Sequence, residues 1–293
     1  LRVINYILIL EIMDQELELI RDQQKEVWNR FSSGWKKWDE LMMDFLKPVG
    51  DEMIRLLNPK GNDMVLDIAS GTGEPGLTIA SFLDGGKVML TDLSEDMLKI
   101  ATENAADRGI RNIETLVCDV CDLPFEDETF DAVSCRFGFM FFPDMLLAAK
   151  EIARVLKPGG KIVTSVWDVP EKNFWITAIM GTINRNIGLP VLPPGAPGMF
   201  RCADSNLMSD IFKTAGLTNI LKKEVAGKLN CQTADVYWNL MTEVAAPVVA
   251  ALSKADAAMK DKIKAEVYEA MNQKFIDGNV VIDSGAVVFC AEK

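Results

Sequence analysis

Apolar and polar positions along this chain change period repeatedly, and the changes mark out its elements. Short apolar runs at 64–69, 87–91, 113–118, 130–135 and 161–167 read as strands buried in a sheet. Between them, 75–83, 94–108 and 145–156 carry helical spacing. Ser94 caps the second of these helices, with Glu95 and Asp96 in its first turn, where carboxylates meet the positive end of the helix dipole. Lys157-Pro158-Gly159-Gly160 reads as a helix stop followed by a tight turn. Strands alternating with helices at this spacing predict an α/β chain with a parallel sheet covered on both faces. The second half departs from that repeat. A helix at 173–187 leads into 189–198, where four prolines and two glycines make a loop long enough to act as a lid. A helix at 204–215 and a strand at 217–226 follow. Residues 232–276 read as helical in two pieces, broken near Pro247 or Ser253, and 280–291 as the last strand.

Upstream of the repeat, 14–31 reads as a helix, with Ser32-Ser33-Gly34 as its expected break. Trp28, Phe31, Trp35 and Trp38 share about one face if the segment is helical, and Phe45 follows. These rings either pack a helix onto the domain or cover a binding site as a lid. The apolar run Tyr6–Leu10 is too short to span a bilayer, and no signal-peptide cleavage pattern follows it. Residues 1–12 read as an N-terminal extension or as vector sequence.

The first candidate chemistry lies where the first strand ends, in MVLDIASGTGEPG (64–76), followed by KVMLTD (87–92). Asp67 ends one apolar run, Gly71, Gly73 and Gly76 follow, Pro75 sits where a helix begins, and Asp92 ends the next run. Strand, glycine turn, helix, strand and carboxylate is the layout of an adenosine-cofactor site on a parallel sheet. Glycines there let the backbone approach a ligand or take positive φ. A dinucleotide pyrophosphate would be repelled by Asp67 and Glu74 at that mouth. S-adenosylmethionine, which carries a sulfonium and an ammonium, would be welcomed, with Asp92 accepting from its ribose hydroxyls.

Four stretches extend the match: VLDIASGTGEPG (65–76), TDLSEDMLKIA (91–101), CDVCDLPFEDETFDAVSCRFGFMFFPD (118–144) and EIARVLKPGGKIVTSVW (151–167). Through them the chain resembles a class I S-adenosylmethionine-dependent methyltransferase. It is most similar to the branch with the ubiquinone/menaquinone-biosynthesis C-methyltransferases and many small-molecule methyltransferases. The resemblance spans about residues 28–168. It implies a Rossmann-like, seven-stranded, mostly parallel sheet with the last strand antiparallel, here with a helical insertion between strands six and seven. Domains would run 1–60 (helical, aromatic lid), 61–231 (cofactor-binding core), 232–277 (insertion, an acceptor cap or the surface of a homodimer) and 278–293 (last strand). The cofactor residues implied are Asp67, Ala69, Ser70, Gly71, Thr72, Gly73, Asp92, Leu93, Met97, Asp119, Val120, Arg136 and Phe137. Asp67 would orient the turn and reach the ammonium, and Asp119 would accept from the adenine amine. Arg136 would face the cofactor carboxylate or the acceptor. Trp28, Phe31, Trp35, Trp38, Phe137 and Met140 would form the acceptor pocket.

Composition narrows the function further. Across 293 residues, 49% hydrophobic and 25% charged, the net charge is −12, which disfavours a phosphate-backbone partner. The six cysteines form no metal ladder, so no metal is expected, and scattered thiols read as reduced and cytoplasmic. The chain contains no histidine, which removes every His-based base, triad and metal site. Methyl displacement from a sulfonium tolerates that, because the leaving group is already activated and the protein must mainly align and desolvate. For an acceptor that needs a base, Asp168, Glu171 and Tyr237 are the candidates. The expected function is transfer of a methyl group to a small molecule: a phenol, an amine or an activated carbon. An RNA or protein methyltransferase, or a non-catalytic adenosine binder, are the alternatives.

Overall fold

The computed structural model describes residues 2–191, 193, 195–204 and 206–293, with side chains from Gln15 onward. Seven strands form one sheet in the order β3-β2-β1-β4-β5-β7-β6. They are β1 (Met64–Ile68), β2 (Lys87–Asp92), β3 (Ile113–Val117), β4 (Phe130–Arg136), β5 (Leu156–Trp167), β6 (Thr218–Gln232) and β7 (Val280–Glu292). The first five are parallel, and β7 lies antiparallel between β5 and β6. The strand order reverses beside β1, so the ends of β1, β2 and β4 open together at the crevice where such sheets bind ligands. Val65, Leu66 and Ile68 of β1 are buried, as expected of a central parallel strand covered on both faces.

Ten helices surround the sheet among the described residues: α1 (Arg2–Lys37), α2 (Asp39–Leu57), α3 (Gly76–Ser81), α4 (Glu95–Asp107), α5 (Met145–Val155), α6 (Phe174–Ile187), α7 (Leu207–Thr214), α8 (Ala234–Val244), α9 (Ala246–Leu252) and α10 (Ala257–Lys274). None of them is long and apolar enough to cross a membrane. The amphipathic face of α2, with Met42, Phe45, Leu46, Val49 and Met53 at three- and four-residue steps, lies on β5, β6 and β7. Each such side chain contributes roughly 1.5–3 kcal/mol on burial.

Four expected boundaries move, each for a visible reason. The N-terminal helix does not break at Ser32-Ser33-Gly34 but runs on to Lys37. The Ser32 hydroxyl donates back to Asn29 O, and Gly34 marks a close crossing: a Cβ there would lie 2.1 Å from the Glu243 carbonyl oxygen on α8. Lys157–Gly160 belongs to β5, which shifts register against β4 between Phe130 and Ala132. The Gly159 N–H donates to Lys293 O, so the chain end takes up that irregular stretch. β6 extends to Gln232 because β7 is long enough to pair with it from Thr218 to Gln232. The insertion breaks at both expected points, after Val244 ahead of Pro247 and again at Ser253, giving three helices rather than two. Two of them, α8 and α10, pack on one another; α9 and α10 also pack on α6, and α8 packs on α1.

The Gly34 crossing gives a direct prediction. Gly34→Ala forces a methyl into the Glu243 peptide, an overpacking that costs about 1–3 kcal/mol. Thermal unfolding should show a lowered Tm, and hydrogen exchange should rise in 28–38 and in α8 together. Faster exchange in only one of the two segments would contradict the coupling.

Candidate functional site

The site is built on a turn that ordinary backbone geometry does not favour. After β1, Ala69 has φ +50°, Gly71 +54° and Gly73 +111°. A positive φ is costly for alanine, and such strain persists where the surroundings enforce it. Three hydrogen bonds do so here: Ser70 N–H to Thr91 O, Gly73 N–H to Ser70 O, and Leu77 N–H to Gly73 O. A Cβ on Gly76 would lie 2.4 Å from the Leu90 side chain, so only glycine lets α3 close against β2.

Asp92 braces the turn from the neighbouring strand. Its Oδ2 accepts from Gly71 N–H at 2.9 Å and its Oδ1 from Ser94 N–H at 2.8 Å, so one carboxylate fixes both the glycine turn and the start of α4. Burial raises its pKa, opposed by those two N–H groups. Each oxygen keeps a lone pair for a ligand. Asp119 lies at the adjacent strand end, because Asp92 pairs with Val117. Its Oδ1 accepts from Cys121 N–H at 2.9 Å, which leaves Oδ2 free of that turn. Beside these carboxylates in the chain, Leu93 is half-buried and Met97 and Val120 are buried.

Asp67 braces the turn, the first of the two parts that the sequence implied for it. It is fully buried beneath the turn, with Oδ1 accepting from the Ser134 hydroxyl and Oδ2 from Gly76 N–H. Burial pushes its carboxyl up to about 7, against the pull of Ser134 and Arg136. Both oxygens hold the turn, and full burial leaves the carboxylate no exposed face toward a ligand ammonium, which it was expected to reach directly or by water.

On the β4 side, Arg136 donates to Met43 Sδ at 3.7 Å and makes no ion pair among the described residues. Burial lowers its pKa, while the charges of Glu74, Asp67 and Asp39 raise it. Phe137 follows with φ +59°, its N–H held by Ser165 O and Oγ at 3.1 and 3.2 Å. Its ring stacks on Trp167 at 4.2 Å, and Trp167 stacks on Phe45 at 5.8 Å.

The expected acceptor pocket divides. Met140 is fully buried, and its sulfur takes the Trp167 N–H at 3.4 Å, so it is core and not a pocket wall. Phe31 is also buried. Trp28 meets the edge of Phe141, in the short 3-10 turn Phe139–Phe141, at 5.4 Å. Trp38 turns away and donates from its indole to Glu243 on α8 at 2.8 Å. The candidate bases fare no better. Tyr237 is fully buried, its hydroxyl donating to Trp175 O at 2.7 Å, and burial drives its pKa upward. The Asp168 carboxyl is pulled up by burial but held below its ordinary value by Lys172 at 2.7 Å and by Val169 N–H. Glu171 is exposed in the turn Pro170–Lys172.

Some residues at the site carried no signal in the sequence. Ser134 is one polar residue in an apolar strand, and Met43 one of a pair of methionines. Asn29, whose Oδ1 accepts from the Ser94 hydroxyl at 2.6 Å, ties α1 to the start of α4, and its only mark was a polar residue among aromatics. Ser70 Oγ is buried in the turn with no partner. That unmet hydroxyl, with the open lone pairs on Asp92 and Asp119, fits a ligand carrying a ribose diol and an adenine amine, as S-adenosylmethionine does.

Residues 19–175 match the family described as the ubiE/COQ5 methyltransferase family. Demethylmenaquinone methyltransferase of Bacillus subtilis is 32% identical over 154 residues, which is 51% of this chain and 66% of that protein. The same enzyme of Bacillus cytotoxicus is 35% identical over 113 residues, 38% of this chain and 48% of its own length. The chain thus spans less than two thirds of either relative. Among solved structures, phosphoethanolamine N-methyltransferase 2 of Haemonchus contortus, in complex with S-adenosylhomocysteine, superposes with a TM-score of 0.55 at 20% identity. That likeness covers 92% of this chain and 60% of the other, and it is a likeness of fold.

The buried Asp67 sets a pH dependence. Its folded pKa near 7 exceeds the ordinary value of 3.8, so between the two the folded chain keeps a proton that the unfolded chain has lost. Stability from this group is therefore full below the unfolded value and falls as pH rises through about 7. Denaturant unfolding at about pH 5 and about pH 8 should show wild type losing more stability across that window than Asp67→Asn. Equal losses would mean that Asp67 is ionised throughout.

Proposed function

Because this chain belongs to the ubiE/COQ5 methyltransferase family, we propose that it transfers a methyl group from S-adenosylmethionine to a small-molecule acceptor by direct displacement. The observation that carries this reading is the pair of neighbouring strand-end carboxylates: Asp92, which holds the strained glycine turn, and Asp119, which keeps an oxygen free of its own turn. Asp92 would take the ribose hydroxyls, Asp119 the adenine amine, and Leu93, Met97 and Val120 the adenine faces. The backbone of Ala69–Gly73, with Ser70 and Thr72, would bound the methionine end, and Arg136 a carboxylate of the cofactor or an anionic oxygen of the acceptor.

The cofactor supplies a methyl group on a sulfonium, a leaving group that is neutral once it departs. The protein's share is alignment and exclusion of water. Charge disperses during such a displacement, and an apolar, aromatic surround suits it. Phe137 and Trp167 on the β4–β5 side, with Trp28 and Phe141 on the side of α1, provide that surround. Asn29 to Ser94 and the ion pair Lys36–Glu103 fasten α1 onto α4, next to the turn. With Tyr237 and Asp168 engaged elsewhere, the acceptor enters already ionised or gives its proton to water. The relatives act on demethylmenaquinone, so a hydroxylated ring with an activated carbon is the first acceptor class to test, ahead of amines and simple phenols.

Two measurements test the reading. Asp92→Asn removes a charged acceptor from the ribose, a bond worth roughly 1.5–3 kcal/mol, so S-adenosylmethionine should bind about 10- to 100-fold more weakly by calorimetry. Unchanged affinity would remove Asp92 from the site. With labelled methyl donor and two acceptors of different pKa, kcat/KM against pH should follow each acceptor's own ionisation. Identical profiles for both would instead mark a protein group as the base.

A further inference from the structure

S-adenosylmethionine ends in an amino acid, which sets an ammonium and a carboxylate on one carbon. We propose that Asp39, at the start of α2, binds the ammonium, and that Trp35 and Arg136 face the carboxylate, so that the aromatic N-terminal cover is itself part of the cofactor site. This rests on the cofactor reading above and adds residues that neither the glycine motif nor the strand ends include.

Around the glycine turn and its cover, three buried polar atoms have no partner among the described residues: Asp39 Oδ1, Trp35 Nε1 and Ser70 Oγ. Trp35 and Asp39 are one helical turn apart, and the chain stays helically hydrogen-bonded between them, with Trp38 N–H to Gly34 O at 3.0 Å and Met42 N–H to Trp38 O at 2.9 Å. The Thr72 hydroxyl of the turn lies beside Asp39, and the charges of Arg108, Glu74 and Arg136 act on it. Burial raises the Asp39 pKa, opposed by the charges of Arg108 and Arg136 and by a hydrogen bond from the Thr72 hydroxyl, while Oδ1 itself has no donor among the described residues. As a plain helix-start residue Asp39 would need only the helix dipole and solvent. A buried oxygen with no donor needs more.

The charges also suit a zwitterion. Arg136 senses Asp39, Glu74 and Asp67, yet no carboxylate among the described residues lies within ion-pairing distance of it. Glu74 is taken up by Arg108 and by the Thr78 hydroxyl, and Asp67 by Ser134 and Gly76. That leaves Asp39 as the carboxylate at the turn with an unmet oxygen, and Arg136 as the guanidinium without a carboxylate. An α-amino acid inserted there gives each the partner it lacks, and Trp35 N–H adds a neutral donor for the carboxylate.

The test compares ligands that differ only at the amino-acid end. Calorimetry would use S-adenosylhomocysteine, its deaminated analogue and 5′-methylthioadenosine, with wild type, Asp39→Asn and Trp35→Phe. Wild type should bind the deaminated analogue about 10- to 100-fold more weakly than S-adenosylhomocysteine. Asp39→Asn should lose a similar factor for S-adenosylhomocysteine but keep its affinity for methylthioadenosine within about twofold. Trp35→Phe should show a smaller loss of the same pattern. Hydrogen exchange should slow in 28–38 with S-adenosylhomocysteine and not with methylthioadenosine. The inference is overturned if wild type binds the deaminated analogue as tightly as S-adenosylhomocysteine, a result that needs no variant to fold. It is also overturned if Asp39→Asn weakens all three ligands alike, which would make Asp39 scaffold. If methylthioadenosine binds and the amino group makes no difference, the inference falls and the cofactor reading stands. If no adenosyl compound binds wild type, both fall.

Discussion

A single carboxylate, that of Asp92, receives the N–H of Gly71 on one oxygen and of Ser94 on the other. The glycine turn and the start of α4 are both referred to that brace. The glycine turn keeps a positive-φ alanine because its far side is held by a neighbouring strand. The first turn of α4 starts where it does because the same side chain holds Ser94, whose hydroxyl then both caps Met97 N–H and holds Asn29. The N-terminal helix is thereby positioned from the cofactor edge outward. Asp67 supports the turn from below in the same way, by backbone N–H and a serine hydroxyl, at the cost of burying a carboxylate.

Much of the first half was legible in the sequence. Strand and helix patterns there are regular, and β1 to β4 and α4 fall within a residue or two of their expected limits. The antiparallel last strand was implied by resemblance and the helical insertion was read from residues 232–276; the sheet order agrees with the one and helices α8 to α10 with the other. What was illegible depends on contacts distant in sequence. Gly34 looks like a helix breaker and is a crossing point, because its partner is Glu243. Met140 looks like a pocket residue by its place after β4, yet its sulfur lies in the core under Trp167. Asp39 carries no motif, and its oxygen became conspicuous only when its lack of a partner could be seen.

The aromatic N-terminal segment lies inside the family match and the insertion outside it. They meet at Glu243, where Lys37 and the Trp38 indole both bind its carboxylate and Gly34 lies against its carbonyl. The family match ends at residue 175, so the insertion and β7 lie beyond it. Differences in acceptor between relatives with the same glycine turn are expected to reside in these segments, since loops and caps on a rigid sheet are where chemistry varies.

The position of β7 has a consequence for how the chain assembles. It follows β6 in the chain, yet it lies between β5 and β6, so β6 has no neighbour in the sheet until residues 280–292 exist. The α2 face that packs on β6 and β7 waits with it, and so does the contact between residues 37–38 and Glu243, more than two hundred positions apart. The cofactor edge, by contrast, uses strands β1 to β4 and can form early from nearby segments. Contacts that close long loops form late and slow folding. The glycine-turn edge thus rests on contacts between neighbouring segments, whereas the docking of α1 on α8 rests on one that closes a long loop.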